Sequence, residues 1–311
     1  MNKIHELESR IRDFINSNRI QSSLLKNSSI WNKLCSSLDL IGDTQIAIDA
    51  YPQVFDVKAE GISYLIVYGI LQTLLLQQDA ARHIGDSLNI KIKIPKALEE
   101  IRLIRNSAAG HPAHQTENKL SKSCFITRSS ISPTNFELMT VYSGDEEYRM
   151  SHVHVSIPPL IKTQEIYLGE ILSKVITELE KQEIDHRKMY RNKKLIDIFP
   201  PTISYHFSKI YEAADNEDKF LLGTLSLKII TECIESFKNE LSARSEWDGY
   251  ESIDYLYELI DYPLKRLEAY FNGDGVMNEK DAYIFASFLS NQLNSLHEIA
   301  SELDEKYESN P

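Results

Sequence analysis

The sequence predicts a mainly α protein with a small β insertion and an additional helical domain at its C-terminal end. Apolar residues recur at helical spacing over most of the chain, which predicts amphipathic helices. A middle segment instead alternates apolar and polar residues in short runs, which predicts strands. The 42% hydrophobic content supports a core, and the 26% charged content is ordinary for a globular protein.

The N-terminal part is predicted to be helical. A first helix runs from Ile4 to about Asn18, and shorter helical pieces follow as far as Tyr51-Pro52, where proline disfavours continuation. Residues 62–88 are unusually apolar at helical spacing, which indicates a central helix of a bundle. Pro95 suits the first turn of the next helix, and Gly110 ends that helix.

The middle of the chain is predicted to form a small β insertion. Residues 123–130 and 135–142 are expected to be two short strands, and the alternation in residues 152–157 predicts a third. Pro158-Pro159 is expected to close the insertion. A long helical pattern then resumes over residues 163–194.

The last third is predicted to contain four helices. Pro200-Pro201 is the best candidate for a domain boundary because two prolines interrupt regular structure. The predicted helices cover residues 203–214, 217–243, 250–271 and 279–307. The predicted domains are a helical bundle (1–118), a small β insertion (119–160), a connecting long helix with a basic end (161–199) and an acidic helical domain (200–311).

Charge is distributed unevenly along the chain. The net charge of −12 argues against binding nucleic acid over the whole surface. Residues 1–199 carry 25 Lys+Arg and 24 Asp+Glu, whereas residues 200–311 carry 9 and 22. The first two-thirds can therefore meet a polyanion locally. Three widely spaced cysteines, the lack of an apolar run of about 20 residues and the charged N-terminus predict a cytoplasmic protein without membrane association.

One motif stands out at the end of the helix that follows Pro95. Arg105 is followed by the polar Asn106 and, after five intervening residues in all, by His111, next to a Gly/Pro helix stop. The preceding apolar helix ends in Gln77-Gln78-Asp79. These features resemble the HEPN family, whose bacterial members include metal-independent ribonucleases. The resemblance covers about residues 1–118 and implies a HEPN-like helical bundle.

The chemistry of the motif fits RNA cleavage without a metal or another cofactor. A histidine that titrates near neutrality can accept the proton of a 2′-hydroxyl group, which is the role expected for His111. The planar guanidinium of Arg105 can hold two phosphate oxygens. The resemblance implies that Asn106 adds a neutral donor, and Asp79 is expected to hold Arg105 in place.

Helical spacing limits how one chain can assemble this site. Six residues turn a continuous α-helix by about 600°, so Arg105 and His111 would lie on different faces. Either the Gly110 break reorients His111 or two copies of the chain share the site. The resemblance implies a homodimer, because the family motif commonly lies at a dimer interface.

Two groups of basic residues are candidates for binding the RNA backbone. The first lies close to the motif in sequence, and the second forms the densest basic run, with Tyr190 offering a stacking face. A solvated helix end is the alternative explanation of the second group. The candidates are Lys91, Lys93, Lys96 and Arg102, and then Arg187, Lys188, Arg191, Lys193 and Lys194.

No metal site is expected. His111, His114 and Cys124 have irregular spacing that falls short of a zinc site. Residues 270–281 resemble a calcium loop only faintly, because Tyr270 replaces the first acidic ligand and Asp281 the last. An interhelical turn is the preferred interpretation of that segment.

The leading hypothesis is a HEPN-type endoribonuclease, a toxin or phage-defence effector that acts as a dimer on RNA. The second hypothesis is a non-catalytic HEPN-like module that senses or scaffolds by binding a protein or nucleotide partner, with the acidic domain as its partner surface. A third is a toxin controlled by nucleotidyl modification. The resemblance also allows an antitoxin or another protein partner.

Overall fold

The computed structural model describes residues 3–110, 115–117, 120–143, 148–247, 251–274 and 276–308. Within these ranges the chain is mainly helical, and its strands form an antiparallel sheet. The helices are α1 (Lys3–Ile15), α2 (Asn18–Leu25), α3 (Ser28–Ala50), α4 (Glu60–Ser87), α5 (Lys96–Arg105), α6 (Ile157–Tyr190), α7 (Ile203–Ala214), α8 (Phe220–Ala243), α9 (Glu251–Phe271) and α10 (Glu279–Glu308). The strands are β1 (Gln115–Glu117), β2 (Leu120–Ile126), β3 (Asn135–Ser143) and β4 (Tyr148–Ser156).

The mainly helical class is confirmed, and two local predictions are wrong. Pro158 and Pro159 do not close the β insertion but lie in the first turn of α6. Proline is tolerated there because the first N–H groups of a helix have no intrahelical acceptor. The stretch before α4 holds one 23-residue helix, α3, rather than only short pieces.

The chain divides into two compact units, and the division differs from the predicted domains. The first unit comprises residues 1–15 and 27–179, and the second comprises residues 16–26 and 180–311. Pro200-Pro201 is therefore not the boundary, because Leu195 and Phe199 already belong to the buried cluster of the second unit. The β insertion belongs to the first unit.

Helix α4 is the central helix of the first unit. It packs along α3 on one side and against α5 on another. Val67, Leu71 and Leu74 are fully buried, so the apolar residues that identified the helix in the sequence do face the core. The burial of each such side chain contributes about 2 kcal/mol.

Four buried glutamines cross-link three helices of this unit. Gln78 donates through Nε2 to Gln164 Oε1 (2.9 Å), and Gln164 donates to Gln77 Oε1 (3.2 Å) and to the Leu74 carbonyl (2.9 Å). Gln77 donates to Gln45 Oε1 (3.1 Å). All four side chains are completely buried. This glutamine chain (Gln45, Gln77, Gln78 and Gln164) joins α3, α4 and α6.

The sheet has the strand order β1-β2-β3-β4. Ser123 pairs with Val141, and Val141 pairs with Met150 in the next strand, which fixes the register. Phe136 and Cys124 are buried on the face that belongs to the core. The sheet is thus an integral part of the first unit.

A buried arginine organises the second unit. Arg244 is completely buried and its guanidinium lies over the rings of Tyr190 (4.9 Å) and Tyr307 (5.1 Å). Its Nε donates to Glu240 Oε1 (3.2 Å), and its Nη1 lies 3.7 Å from Asp304. These charges compensate one another, which a buried cation requires. The arrangement links the ends of α6, α8 and α10.

A buried acid lies beside this arginine centre. Glu246 accepts a hydrogen bond from the Tyr307 hydroxyl (2.9 Å). Burial raises the pKa of Glu246 above its ordinary range, and the hydrogen bond only partly offsets this effect. Burial likewise lowers the pKa of His186, whose Nε2 lies 3.2 Å from the Arg244 carbonyl.

No helix in the described ranges combines enough length with enough apolar character to cross a bilayer.

The glutamine chain yields a test of the packing of the first unit. Replacing Gln164 by Leu removes the acceptor of Gln78 and the donor to Gln77 and Leu74. Unpaired buried polar groups are costly, so we expect the free energy of unfolding to fall by about 3 kcal/mol in urea denaturation. Gln53→Leu, at an exposed position of the same unit, should change it by less than about 0.5 kcal/mol. Equal effects of the two substitutions would contradict this account.

Candidate functional site

Arg105 is the last residue of α5, and the chain changes its winding immediately after it. Asn106–Gly110 form a single π-helical turn, a feature that occurs frequently at functional sites. Leu98 and Ile101 bury the inner side of α5. Arg105 lies on the same side and is partly buried against α4.

Neutral amides hold the Arg105 guanidinium. Its Nε and Nη2 donate to Gln72 Oε1 of α4 (3.1 and 2.6 Å), and its Nη1 donates to Asn106 Oδ1 (3.1 Å). A guanidinium has five N–H donors, so these three bonds leave one N–H group on each terminal nitrogen without a partner among the described residues. The two terminal nitrogens of a guanidinium can match two oxygens of a phosphate group.

The expectation that Asp79 holds Arg105 is wrong. Asp79 Oδ1 accepts from Arg102 Nη2 (2.7 Å) and lies 3.5 Å from Arg82. The two arginines are three residues apart on α5, nearly one turn, so their side chains contact different parts of α4: Arg102 contacts Asp79, and Arg105 contacts Gln72. Gln72 makes the contact with Arg105 that the sequence predicts for Asp79.

The two arginines on the inner side of α5 thus have different electrostatic environments. Gln72 and Asp79 are seven residues apart, about two turns, and share one face of α4. The carboxylate of Asp79 compensates Arg102, whereas no carboxylate in the described part of the chain pairs with Arg105. Arg105 is therefore held by neutral amides, and its charge is not offset by a carboxylate within the described residues.

Gly110 closes the π turn directly against Arg105. A Cβ atom at Gly110 would lie 2.5 Å from Arg105 Nη1 and 3.3 Å from Asn106 Oδ1. A larger residue here would require the guanidinium to shift from its present position. The regular α-helix ends at Arg105 and the π turn begins at Asn106, four residues before Gly110, where the sequence predicts the end of the helix.

Asn106 connects the arginine with the π turn. Its Oδ1 accepts a hydrogen bond from Arg105. Its two amide N–H groups have no acceptor among the described residues. His111 follows Gly110 directly in the chain and lies outside the described residues, so its predicted role rests on the sequence. His114 lies outside them too.

The basic residues next to the motif do not gather around Arg105. Lys96 and Arg105 are nine residues apart on α5, about two and a half turns, which places them on opposite sides of the helix. Lys96 lies 4.0 Å from Glu100, and Arg102 is paired with Asp79. Lys91 and Lys93 are exposed in the connection between α4 and α5.

The second basic run is largely compensated by carboxylates within the second unit. Arg187 donates to Glu183 (2.8 Å), Lys193 pairs with Glu240, and Lys194 lies 2.7 Å from Glu308. Lys188 and Arg191 remain exposed. Hydrogen bonds from Arg187 and Arg19 lower the pKa of Glu183 even though burial acts in the opposite direction. These pairs favour a structural role for the run over an RNA-binding role.

Cysteine and metal chemistry receive no support from the geometry. Cys124 is buried, with its Sγ 3.7 Å from Thr140 Oγ1. Within the described part of the chain, no group of three or more His, Cys, Asp or Glu side chains could hold a metal ion.

Comparison of the chain with models of known protein families, with curated protein sequences and with solved structures gave no significant match. The function must therefore be argued from the geometry and chemistry of the site.

Sequence reasoning missed two residues of the Arg105 site. Gln72 is not among the predicted site residues, and its seven-residue separation from Asp79 is the signal that could have identified it. Gly110 is predicted as a helix stop that can reorient His111, and its contact with the Arg105 guanidinium is not predicted.

Gly110 yields a structural prediction. In Gly110→Ala the new methyl group must displace the Arg105 guanidinium from Gln72 and Asn106. We expect the Arg105 Nε–Hε resonance to lose its hydrogen-bonded shift in NMR spectra, with no gain in stability. The matched control is Gly42→Ala in α3, where nothing lies within 4 Å, and it should stabilise the protein by about 1 kcal/mol without moving that resonance. An unchanged resonance in Gly110→Ala would contradict the described packing.

Proposed function

We propose that the first unit is a HEPN-like bundle that cleaves RNA without a metal ion. The observation that carries the proposal is the Arg105 guanidinium, which neutral amides hold and which no carboxylate within the described residues compensates, beside a π turn that precedes His111 in the sequence. Holding a cation in this way suits the recognition of a phosphodiester.

The proposed chemistry assigns one task to each residue of the motif. Arg105 binds the scissile phosphate through the two N–H groups that have no partner among the described residues, and the Asn106 amide donates to the same phosphate. His111 removes the 2′-hydroxyl proton, so that this oxygen attacks phosphorus and the 5′-oxygen leaves with a proton. The products are a 2′,3′-cyclic phosphate and a 5′-hydroxyl end, and no oxidant or metal is consumed.

A dimer is part of the proposal, and the surface of α4 supports it. Leu65, Tyr68 and Gln72 share one face of this helix because they are separated by three and four residues. Helix α5 covers the end of that face that contains Gln72, whereas Leu65 is 72% exposed and Tyr68 is 40% exposed. Gly69 on the same face has open space above it. An apolar strip beside Arg105 suits a second copy of the chain.

The nuclease proposal is tested by RNA degradation in the presence of a chelator. We expect Arg105→Ala and His111→Ala each to lower the cleavage rate by at least about 100-fold, because each removes charge stabilisation or proton transfer. Lys96→Ala removes a cation from the opposite side of α5 and is the matched control, with little expected change. Cleavage that survives both site substitutions would refute the assignment, and binding without turnover in the native protein would favour a non-catalytic module.

Mixing the two inactive variants shows how the site is shared. If each site takes Arg105 from one copy and His111 from another, a mixture of Arg105→Ala and His111→Ala contains dimers with one intact site. We expect partial recovery of cleavage in the mixture. No recovery would place both residues of each site in one chain.

Replacing Gln72 by Glu tests whether the proposed activity depends on a neutral partner for Arg105. Gln72→Glu keeps an acceptor for Arg105 but places a carboxylate against it, which competes with the phosphate. We expect cleavage to fall about tenfold or more while the free energy of unfolding is maintained. Thr73→Glu adds the same charge one residue further along α4, without an acceptor at Arg105, and should have a much smaller effect. Similar losses in both variants would show general repulsion of RNA rather than neutralisation of Arg105.

A further inference from the structure

A cavity in the first unit lies away from the residues of the Arg105 site. It has a volume of about 310 Å³ and is formed by the end of α3, the short 3₁₀ turn Tyr51–Val54 that follows it, and the first three turns of α6. None of its lining residues takes part in the proposed RNA chemistry. The lining residues are Ile48, Asp49, Tyr51, Pro52, Phe55, Pro158, Ile161 and Glu165.

The floor and one wall of the cavity are apolar and aromatic. Ile48, Tyr51 and Ile161 are buried. The Tyr51 hydroxyl donates to the Pro133 carbonyl (2.6 Å), so this residue presents its ring rather than a free donor. Phe55 meets Tyr51 edge to face, with ring centroids 4.9 Å apart, and it stays 37% exposed. The aromatic surface can therefore contact a ligand with an apolar stem or a cationic head.

Both charged groups that line the cavity are carboxylates. Asp49 accepts from the buried Gln45 Nε2 (2.9 Å) and lies 3.6 Å from His5 Nε2. Glu165 is partly buried, and no partner for it exists among the described residues. No lysine or arginine lines the cavity. A partly buried carboxylate beside aromatic rings, without a cation, leaves negative charge that a ligand can compensate.

We propose that this cavity binds a small organic cation, a free alkyl amine or guanidine with an aliphatic stem. The ammonium or guanidinium group pairs with Glu165 and Asp49, while the stem packs on Tyr51, Phe55 and Ile161. At about 30 Å³ per water-sized group, 310 Å³ accommodates roughly ten non-hydrogen atoms, the size of a short diamine or aminoalkylguanidine. The cavity volume lies at the small end of the range for small-molecule sites.

Other ligand classes fit the cavity less well. An anion would meet two carboxylates and no cation, and a neutral apolar molecule would bury Glu165 without compensation. A bare metal ion would find two carboxylates but no third ligand in the described residues. The combination of negative charge with aromatic walls is therefore selective for organic cations.

The proposal is tested by isothermal titration calorimetry of the full chain with 1,4-diaminobutane. We expect saturable binding, and no binding of 1,4-butanediol, which has the same length but no charge. Glu165→Gln should weaken binding of the diamine about tenfold or more, because a charge-assisted pair is lost. The matched control is Glu170→Gln, an exposed carboxylate on another face of α6, which should leave binding unchanged.

Three outcomes would overturn the proposal. One is the absence of diamine binding, and a second is equal binding of the diol. The third is binding of the diamine that is unaffected by Glu165→Gln and by Asp49→Asn, since that indicates nonspecific attraction to an acidic chain. Titrations of the Arg105→Ala variant separate this site from the proposed nuclease, because diamine binding should persist there whether or not the native chain cleaves RNA. The first outcome includes binding of a lysine-containing peptide without binding of the diamine, which would identify a protein partner.

Discussion

The glutamine chain is the constraint on which the geometry of the first unit depends. Gln77 and Gln78 lie on one side of α4, and their bonds to Gln45 and Gln164 fix this helix against α3 and α6. Leucine packing alone would tolerate rotation of a helix about its axis, whereas buried amides lose hydrogen bonds as soon as it rotates. The opposite side of α4, which carries Gln72 and Asp79, is thereby given a defined orientation toward α5. The positions of both α5 arginines follow from that orientation.

The difference between Arg102 and Arg105 shows how one helix can give two arginines different roles. A carboxylate partner contributes a strong bond but removes the net charge, and an amide partner contributes a weaker bond and preserves it. Asp79 makes Arg102 a link between α4 and α5. Gln72 and Asn106 restrict the conformation of the Arg105 side chain without compensating its charge. Binding an anion would therefore cost little further side-chain entropy. The proposed phosphate role depends on this combination of order and charge.

The sequence was sufficient for the elements with strong periodicity, and it failed where partners come from distant segments. Residues 62–88 predicted α4 to within two residues, and the C-terminal helices agree almost as well, because long apolar patterns are decided locally. The prediction that Pro158-Pro159 closes the β insertion was wrong because the same dipeptide suits both a loop and the first turn of a helix. The partners of Arg105 could not be read from sequence, since they depend on how α5 lies along α4. The buried glutamines were equally hidden, because polarity normally indicates exposure.

Charge pairing also restricts where the proposed RNA contacts can lie. The carboxylates of the second unit are the partners of its own basic run, as Glu183, Glu240 and Glu308 show. A phosphate chain would have to displace those carboxylates, at a cost greater than that of binding an uncompensated cation. In the first unit Arg102 is compensated and Lys96 faces away from Arg105, so few cations accompany the motif. In the proposed nuclease, binding energy for RNA comes from local contacts at the Arg105 site and from a second copy rather than from a broad basic surface. Two copies that share the proposed site would supply two guanidiniums to one strand, so that an acidic protein can hold a polyanion without a basic surface.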